Sequence, residues 1–522
     1  MLHLHGSTSY AVRALTNHEL KAREHEEGSD TEESSDAVVS LGTTVVVLLV
    51  MCGAKHDGQG DREIAKWRQL LEEPEPAEDR LAERDAWAKR QTQAAISLLR
   101  LGKAELVWPL LRHSPDPSLR SYLIRDLGSS GVSPDIIIQR LEVESDTSAR
   151  RALILSLGGF SSDQITISRR KSLVARLLNL YRQDPDPGIH SAVDWLLRYG
   201  RQGLADRKLD WQQAGALRVI GREIAGQLAK ERDWFVTKHG DTMTVVHGPV
   251  EFMMGAPRYE PGRDKSDAEA QHRERIPRSF AVSITEVTVG QFQRFLDANP
   301  EIKRRAQAAG PRDPTRNGPT LIRLQVGDDC PQVMMTWFEA AQYCNWLSQQ
   351  EGIPPEEWCY PALDQIKEGM QLPSDYLHRT GYRLPTDAEW EYACRAGAKT
   401  SRFFGSSEEL LREYAWYTGS TFNERPWPVG QLKPNDFGLF DMYGNVWEWI
   451  QDWYKQYGSE SAGQVREDSE DSILTVSREH ERPRRGGSYT YEADFLRSAY
   501  RNHYIPDERR DSVGFRIART VR

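Results

Sequence analysis

The stretch GLFDMYGNVWEWIQDWY, Gly438–Tyr454, lies in the half of the chain from which long helical periods are absent. Trp447, Trp449 and Trp453 alternate as strand residues do, the first two on one face, and read as core rather than as a ligand platform. Asp441 and Glu448 flank the backbone carbonyls of Gly444 and Val446. Such an all-oxygen set suits a calcium ion, which takes about six to eight ligands. Spacing alone fits better an Asp441 that caps a turn and a Glu448 on a solvated strand.

Outward from this stretch, residues 235–522 are rich in Gly, Pro, Asn and aromatics. Three capping boxes, Thr288 with Gln291, Thr336 with Glu339 and Thr386 with Glu389, predict three short helices. Behind them FQRFL, AAQYCNWL and WEYACRAG each present an apolar face, and the third stops at Gly397. The pattern predicts a loop-rich α+β domain.

The pieces GPVEFMMGAP, EVTVGQFQRF, MTWFEAAQYCNWLS, GYRLPTDAEWEYACRAG, GLFDMYGNVWEWIQDWY, RRGGSY and VGFRIA follow one another as in the formylglycine-generating enzyme, or sulfatase-modifying factor, family. Residues 235–522 resemble that family, which implies a compact variant of the C-type lectin fold. The resemblance also implies a structural calcium at Asp441, Gly444, Val446 and Glu448, reversing what spacing alone favours. A second family calcium site looks lost, because Trp416 in EYAWYTGS stands where an Asn ligand is expected. Enzymes of the family oxidise a cysteine of a partner sulfatase with oxygen and a copper(I) ion held by two cysteines, since soft thiolates suit that metal. Here the two copper positions, counted from the Tyr of GGSY, fall on Tyr491 and Leu496. A phenol is a hard oxygen donor and leucine has no donor, so copper is not expected. Ser488 matches a residue lining the family's active site and reads here as a turn or pocket hydrogen-bonding group.

No other constellation replaces the missing pair. Five cysteines, Cys52, Cys330, Cys344, Cys359 and Cys394, lack CxxC spacing, which argues against a disulfide framework or zinc knuckle. Cys344 and Cys394 fall on apolar helix faces and read as small core hydrophobes. The HxxxHxE pattern of the related sulfoxide synthases does not occur. DFG at Asp436–Gly438 and YLHRT at Tyr376–Thr380 imitate kinase motifs, but Thr380 replaces the catalytic aspartate and no Gly-rich loop precedes them. Arg516 in GFR reads as a core anchor tying loops together. His503, near Asp507 and Asp511 in sequence, reads as a surface group.

The first half is of a different kind. DPSLRSYLIRDLG from Asp116, DTSARRALILSLG from Asp146 and DPGIHSAVDWLLR from Asp186 each follow an apolar helix pattern, LVWPLLR, IIIQRLE and LVARLLNLY. An aspartate before Pro or Thr is a good helix start. Residues 90–205 thus resemble HEAT-like helix pairs, usable as a spacer or as a protein-binding surface. With the second half they resemble bacterial multidomain proteins in which this domain follows a Ser/Thr kinase. Residues 206–234 read as a linking helix and 55–89 as a charged linker. Residues 37–54, AVVSLGTTVVVLLVMCGA, carry no charge and form a candidate membrane anchor, with 1–36 a disordered acidic segment. Lys55, Arg62, Lys66 and Arg68 behind it, against Lys21 and Arg23 ahead, lean weakly toward a cytoplasmic C-terminal body. Soluble cytoplasmic and exported forms are the alternatives.

With 68 Lys and Arg against 77 Asp and Glu, a net charge of −9, nucleic acid is not an expected partner. The expectation is a protein- or ligand-binding member of the family, without copper oxidase activity, whose partner meets the helical repeats or the loop-rich domain. The alternative is an oxidoreductase that makes formylglycine, or modifies another protein, by a non-standard route.

Overall fold

The computed structural model describes residues 57–161, 163–198, 211–227, 231–263, 267–309, 327–420, 425–457 and 464–522. Met1–Gly60 forms one unit and Asp61–Arg522 a second; the description below concerns the second. The segments 1–36 and 37–54 lie outside the described residues. Among the described residues no helix is long and apolar enough to cross a membrane.

The three repeat aspartates start their helices. Asp116 Oδ1 accepts from the Ser118 amide at 3.0 Å, Asp146 Oδ1 from Ala149 at 2.8 Å and Asp186 Oδ1 from Ile189 at 2.8 Å. Each satisfies an N–H that a first helical turn leaves open. The helices so begun, Ser118–Asp126, Thr147–Ser156 and Pro187–Arg198, stack in a row, flanked by Leu81–Arg100, Pro134–Val143 and Ile167–Gln183. Gly128 and Gly159 let the ends of the first two meet: a Cβ on Gly128 would lie 2.2 Å from the Gly159 carbonyl carbon.

Three stretches differ from the sequence expectation. LVWPLLR forms two short 3-10 turns, Ala104–Leu106 and Trp108–Leu111, because Pro109 cannot donate a helical N–H. The 55–89 stretch is helical over Asp57–Leu71 and again from Leu81. Of the linking segment only Ala214–Ile224 is helix, and Trp234 opens a strand instead.

That strand, Trp234–Val236, edges a five-stranded antiparallel sheet. The order continues through Thr242–Val246, Ser279–Ser283, Ala518–Val521 and Tyr382–Arg383, so the end of the chain sits inside the sheet that opens the domain. A second sheet runs Asn502–Tyr504, Arg482–Arg485, Trp447–Trp449, Val513–Gly514, with only the last pair parallel. All three capping boxes close, with side chain and backbone satisfying each other at Thr288, Thr336 and Thr386.

The helical row is not a free-standing spacer. Asp436, from the DFG tripeptide, takes Arg120 Nη1 at 2.7 Å and Nη2 at 3.0 Å, and Arg151 Nη1 and His113 Nδ1 at 3.2 Å each. Burial opposes ionisation of Asp436, but the Arg120 and Arg151 guanidiniums and the hydrogen bond from His113 hold it far below the usual carboxylate range. Glycines permit the approach: a Cβ on Gly438 would lie 2.5 Å from the Pro187 carbonyl, and one on Gly188 2.5 Å from that of Asp436. Trp195 Nε1 donates to Gln431 O, Tyr122 to Ser407 and Arg125 to Glu409 along the same seam. Asp436→Asn leaves Arg120 and Arg151 buried beside a neutral group. It is expected to destabilise the protein by about 3 kcal/mol, read as a lower urea midpoint, with protease cleavage first appearing at the seam.

Candidate functional site

The strand Arg482–Arg485 of the second sheet leads into the turn and loop that carry Ser488, Tyr491 and Leu496. After Arg485 the chain turns through Gly486 and Gly487, at φ +93° and +78°, into Ser488. Only glycine suits Gly487, since a Cβ there would also lie 2.9 Å from Leu496 Cδ1. Ser488 is fully buried, with Oγ 2.9 Å from Thr490 Oγ1 and accepting from the Thr490 amide. Its hydroxyl ties its own turn.

Tyr491 sets its ring edge-on to Trp447 at 5.1 Å and to Phe495 at 5.3 Å, and is partly buried against the core. Leu496 is fully buried. Its carbonyl accepts Arg402 Nε at 2.7 Å, and Arg402 Nη2 reaches the Ala493 carbonyl at 2.8 Å. Arginine thus fixes the loop that bears Leu496, and a hydrocarbon and a phenol stand at the two positions that the family resemblance assigns to copper ligands. The four described cysteines are buried, free thiols. Burial pushes Cys330 up to about 11 and Cys359 and Cys394 to about 12, with Cys344 well above its ordinary value. The thiolate is the metal-binding form, so these thiols are poor ligands. Cys52 lies outside the described residues.

Sequence reasoning passed over Arg484, which is buried beside Tyr491. Its guanidinium lies 4.6 Å from the Trp447 ring centre and 3.8 Å from that of Tyr504, and donates Nε and Nη2 to Asn502 Oδ1. Burial lowers its pKa, partly offset by the Tyr504 and Tyr491 hydroxyls. Aromatic faces take the place of a carboxylate, a cation–π arrangement. The signal was the alternation of Arg482 and Arg484 in RPRR, which puts both on one face of a strand.

The expected calcium ligands are only partly free. Glu448 Oε2 accepts Arg516 Nε at 2.6 Å and Trp390 Nε1 at 2.8 Å, while Oε1 accepts Arg516 Nη2 at 2.7 Å. The carboxylate expected to face calcium, or solvent, therefore faces a buried guanidinium. Arg516 also reaches the Ser283 and Phe440 carbonyls, which fits its reading as a core anchor. Asp441, at φ +54°, accepts the Gly430 amide through Oδ2 at 2.7 Å and leaves Oδ1 without a partner. Gly444 lies against Trp416, whose ring stacks on Trp427 at 4.5 Å. Val446 is buried in the core. Trp447 and Trp449 are fully buried, as strand alternation implied. His503 pairs through Nδ1 with Glu481 at 2.6 Å and stacks on Tyr454, in a strand whose pairing puts it opposite Pro483.

The GGSY turn, the Trp447–Trp449 strand and the GFR clasp now stand in one place. The sulfatase-modifying factor enzyme 1-like domain matches residues 231–521. The chain belongs to this family. Chaperone protein LppX of Paenibacillus barcinonensis is 35% identical over 155 residues, covering 24% of this chain and 54% of that protein. Serine/threonine-protein kinase pkn1 of Chlamydia pneumoniae is 25% identical over 328 residues, 60% of this chain and 46% of the kinase. That match is longer than the family domain itself. The chain thus spans about half the length of these two relatives. Formylglycine-generating enzyme of Bos taurus is 26% identical over 273 residues, 49% of this chain and 69% of the enzyme.

The family domain's polar core sets two expected outcomes. Arg516→Lys keeps the charge but cannot bridge Glu448 with two nitrogens while reaching two carbonyls. A loss of about 3 kcal/mol is expected in denaturant unfolding, with an unchanged slope. Burial opposes ionisation of Asp387 and Glu389, but Arg485 and Arg501 beside the first, and Arg383 and Arg278 beside the second, hold both at about 2. Their stabilisation is complete above the unfolded values near ~4 and is lost as pH falls toward 2. Unfolding free energy should therefore drop steeply across that window.

Proposed function

We propose that the family domain has given up copper-dependent cysteine oxidation and acts as a protein- or ligand-binding module, built as a C-type lectin variant and held against a HEAT-like array. The observation that carries this reading is the filling of the two copper positions by Tyr491 and buried Leu496, with high-pKa thiols as the described cysteines. The name of one relative, a chaperone, also agrees with a binding role. A cleft of about 470 Å³ at the seam of array and domain offers a place for a partner. Trp195 lines it together with Arg125, Arg412 and Lys433 on one side of the charge balance and Asp126, Glu409 and Glu413 on the other. Mixed charge around one aromatic suits a polar peptide segment better than an apolar ligand. Residues 37–54 would hold the module at a membrane.

The test incubates the full chain with a cysteine-containing sulfatase peptide, oxygen and copper(I), followed by mass spectrometry. The expected result is no aldehyde above the protein-free background and no stoichiometric copper on the recovered protein. Repeated turnover to formylglycine would sink the binding-only reading and favour oxidation by a non-standard route.

A further inference from the structure

The cleft at the seam of array and domain has an apolar floor and a charged rim, and the charges on that rim do not balance. Ile124, Leu155 and Trp195 reach the floor from the array and Leu432 from the family domain, each between 4 and 6% exposed. Gly158 makes room for the Trp195 ring, since a Cβ there would lie 2.4 Å from the ring's Cη2. With Gly159 it also lines one wall with backbone alone. An apolar base with a few polar groups at its edge is the make-up of a ligand site.

Most of the rim charges are already committed. Arg125 donates Nε and Nη2 to Asp126 at 2.6 and 3.1 Å, and Nη1 to Glu409 at 2.7 Å. Glu409 accepts Lys89 Nζ at 2.6 Å through its other oxygen, from outside the cleft. Lys433 pairs with Glu413 and lies 5.4 Å from the Trp195 ring centre. All three carboxylates of the rim are thereby neutralised. Arg412 is exposed and, among the described residues, its guanidinium has no ion-pair partner. On a chain whose net charge is −9, the rim of this cleft holds a positive charge that nothing beside it answers.

We infer that the cleft binds an acidic peptide segment, with a carboxylate of the ligand on Arg412 and its apolar side chains on the floor formed by Ile124, Leu155, Trp195 and Leu432. The inference rests on the binding role proposed above and names its ligand. An arginine fork takes a carboxylate through two parallel bonds. A basic segment would meet Arg412 with like charge and find every carboxylate of the rim already paired. Because array and domain each supply part of the floor, neither half presents the site alone.

The experiment titrates the full chain with three fluorescein-labelled synthetic peptides of one length, in which leucines are interspersed with Glu, Ser or Lys, and reads fluorescence anisotropy at low and high salt. The Glu peptide is expected to bind tightest, with an advantage over the Lys peptide that shrinks as salt rises. Arg412→Glu should weaken the Glu peptide by about tenfold and remove its advantage, with an unchanged Tm because the side chain is exposed and unpaired. Arg412→Lys should keep the preference. So should Arg305→Glu, which makes the same charge change at an exposed position outside the cleft. Equal binding of the three peptides, or a Glu preference that survives Arg412→Glu, would overturn the site and leave a binding role elsewhere standing. No binding of any peptide would overturn it as well, whereas the binding role itself falls only if the sulfatase peptide is turned over to formylglycine.

Discussion

A domain with this little strand ladder must satisfy its buried carbonyls from side chains, and arginine forks do so throughout. Arg516 joins Glu448 to the Ser283 and Phe440 carbonyls, and so fastens the GFR strand to the first sheet and to the loop ahead of Asp441. Arg485 joins Asp387 and Glu391 to the Ser498 carbonyl, while Arg402 and Arg497 hold the carbonyls around Leu496 and Gly262. Each fork combines a charge-assisted bond with backbone capture, which a regular sheet would have supplied through its own N–H groups. Arg482, Arg484, Arg485, Arg497 and Arg516 are consequently among the largest fully buried side chains.

The same device joins the two halves. Asp436 gathers Arg120, Arg151 and His113 from three points of the helical region, and glycines at 188 and 438 remove the side chains that would hold the backbones apart. Because the helix Pro187–Arg198 is covered on both sides, nearly all of it is buried. Any partner of the array must therefore use its outer helices or the seam cleft. The tripeptide DFG, which imitates a kinase motif, is here a fastening between domains.

Local signals in the sequence were legible where the physics is local. Capping boxes and repeat aspartates act on amides within three residues, so Thr288, Thr336, Thr386, Asp116, Asp146 and Asp186 predicted their helices. Long-range pairing was legible only in part. Arg516 was recognisable as an anchor from its place in GFR, but its partner Glu448 is 68 residues away and was assigned to calcium or solvent. His503 read only as a surface group, and the strand pairing that sets it beside Glu481 was not legible. LVWPLLR kept its apolar spacing and lost its helix to one proline.

The sequence by itself determined the family, the order of helical region and α+β domain, and the absence of sulfur from positions 491 and 496, because residue identity settles which donors exist. Tertiary structure decided what those residues face. It buried Leu496 and set the Tyr491 ring edge-on to Trp447, and gave Glu448 to Arg516. It also left Asp441 with an unpaired oxygen and turned a row of helices into one side of a seam. Burial and partner choice belong to the packed chain, since contacts between residues tens or hundreds of positions apart exist only after the loops are fixed.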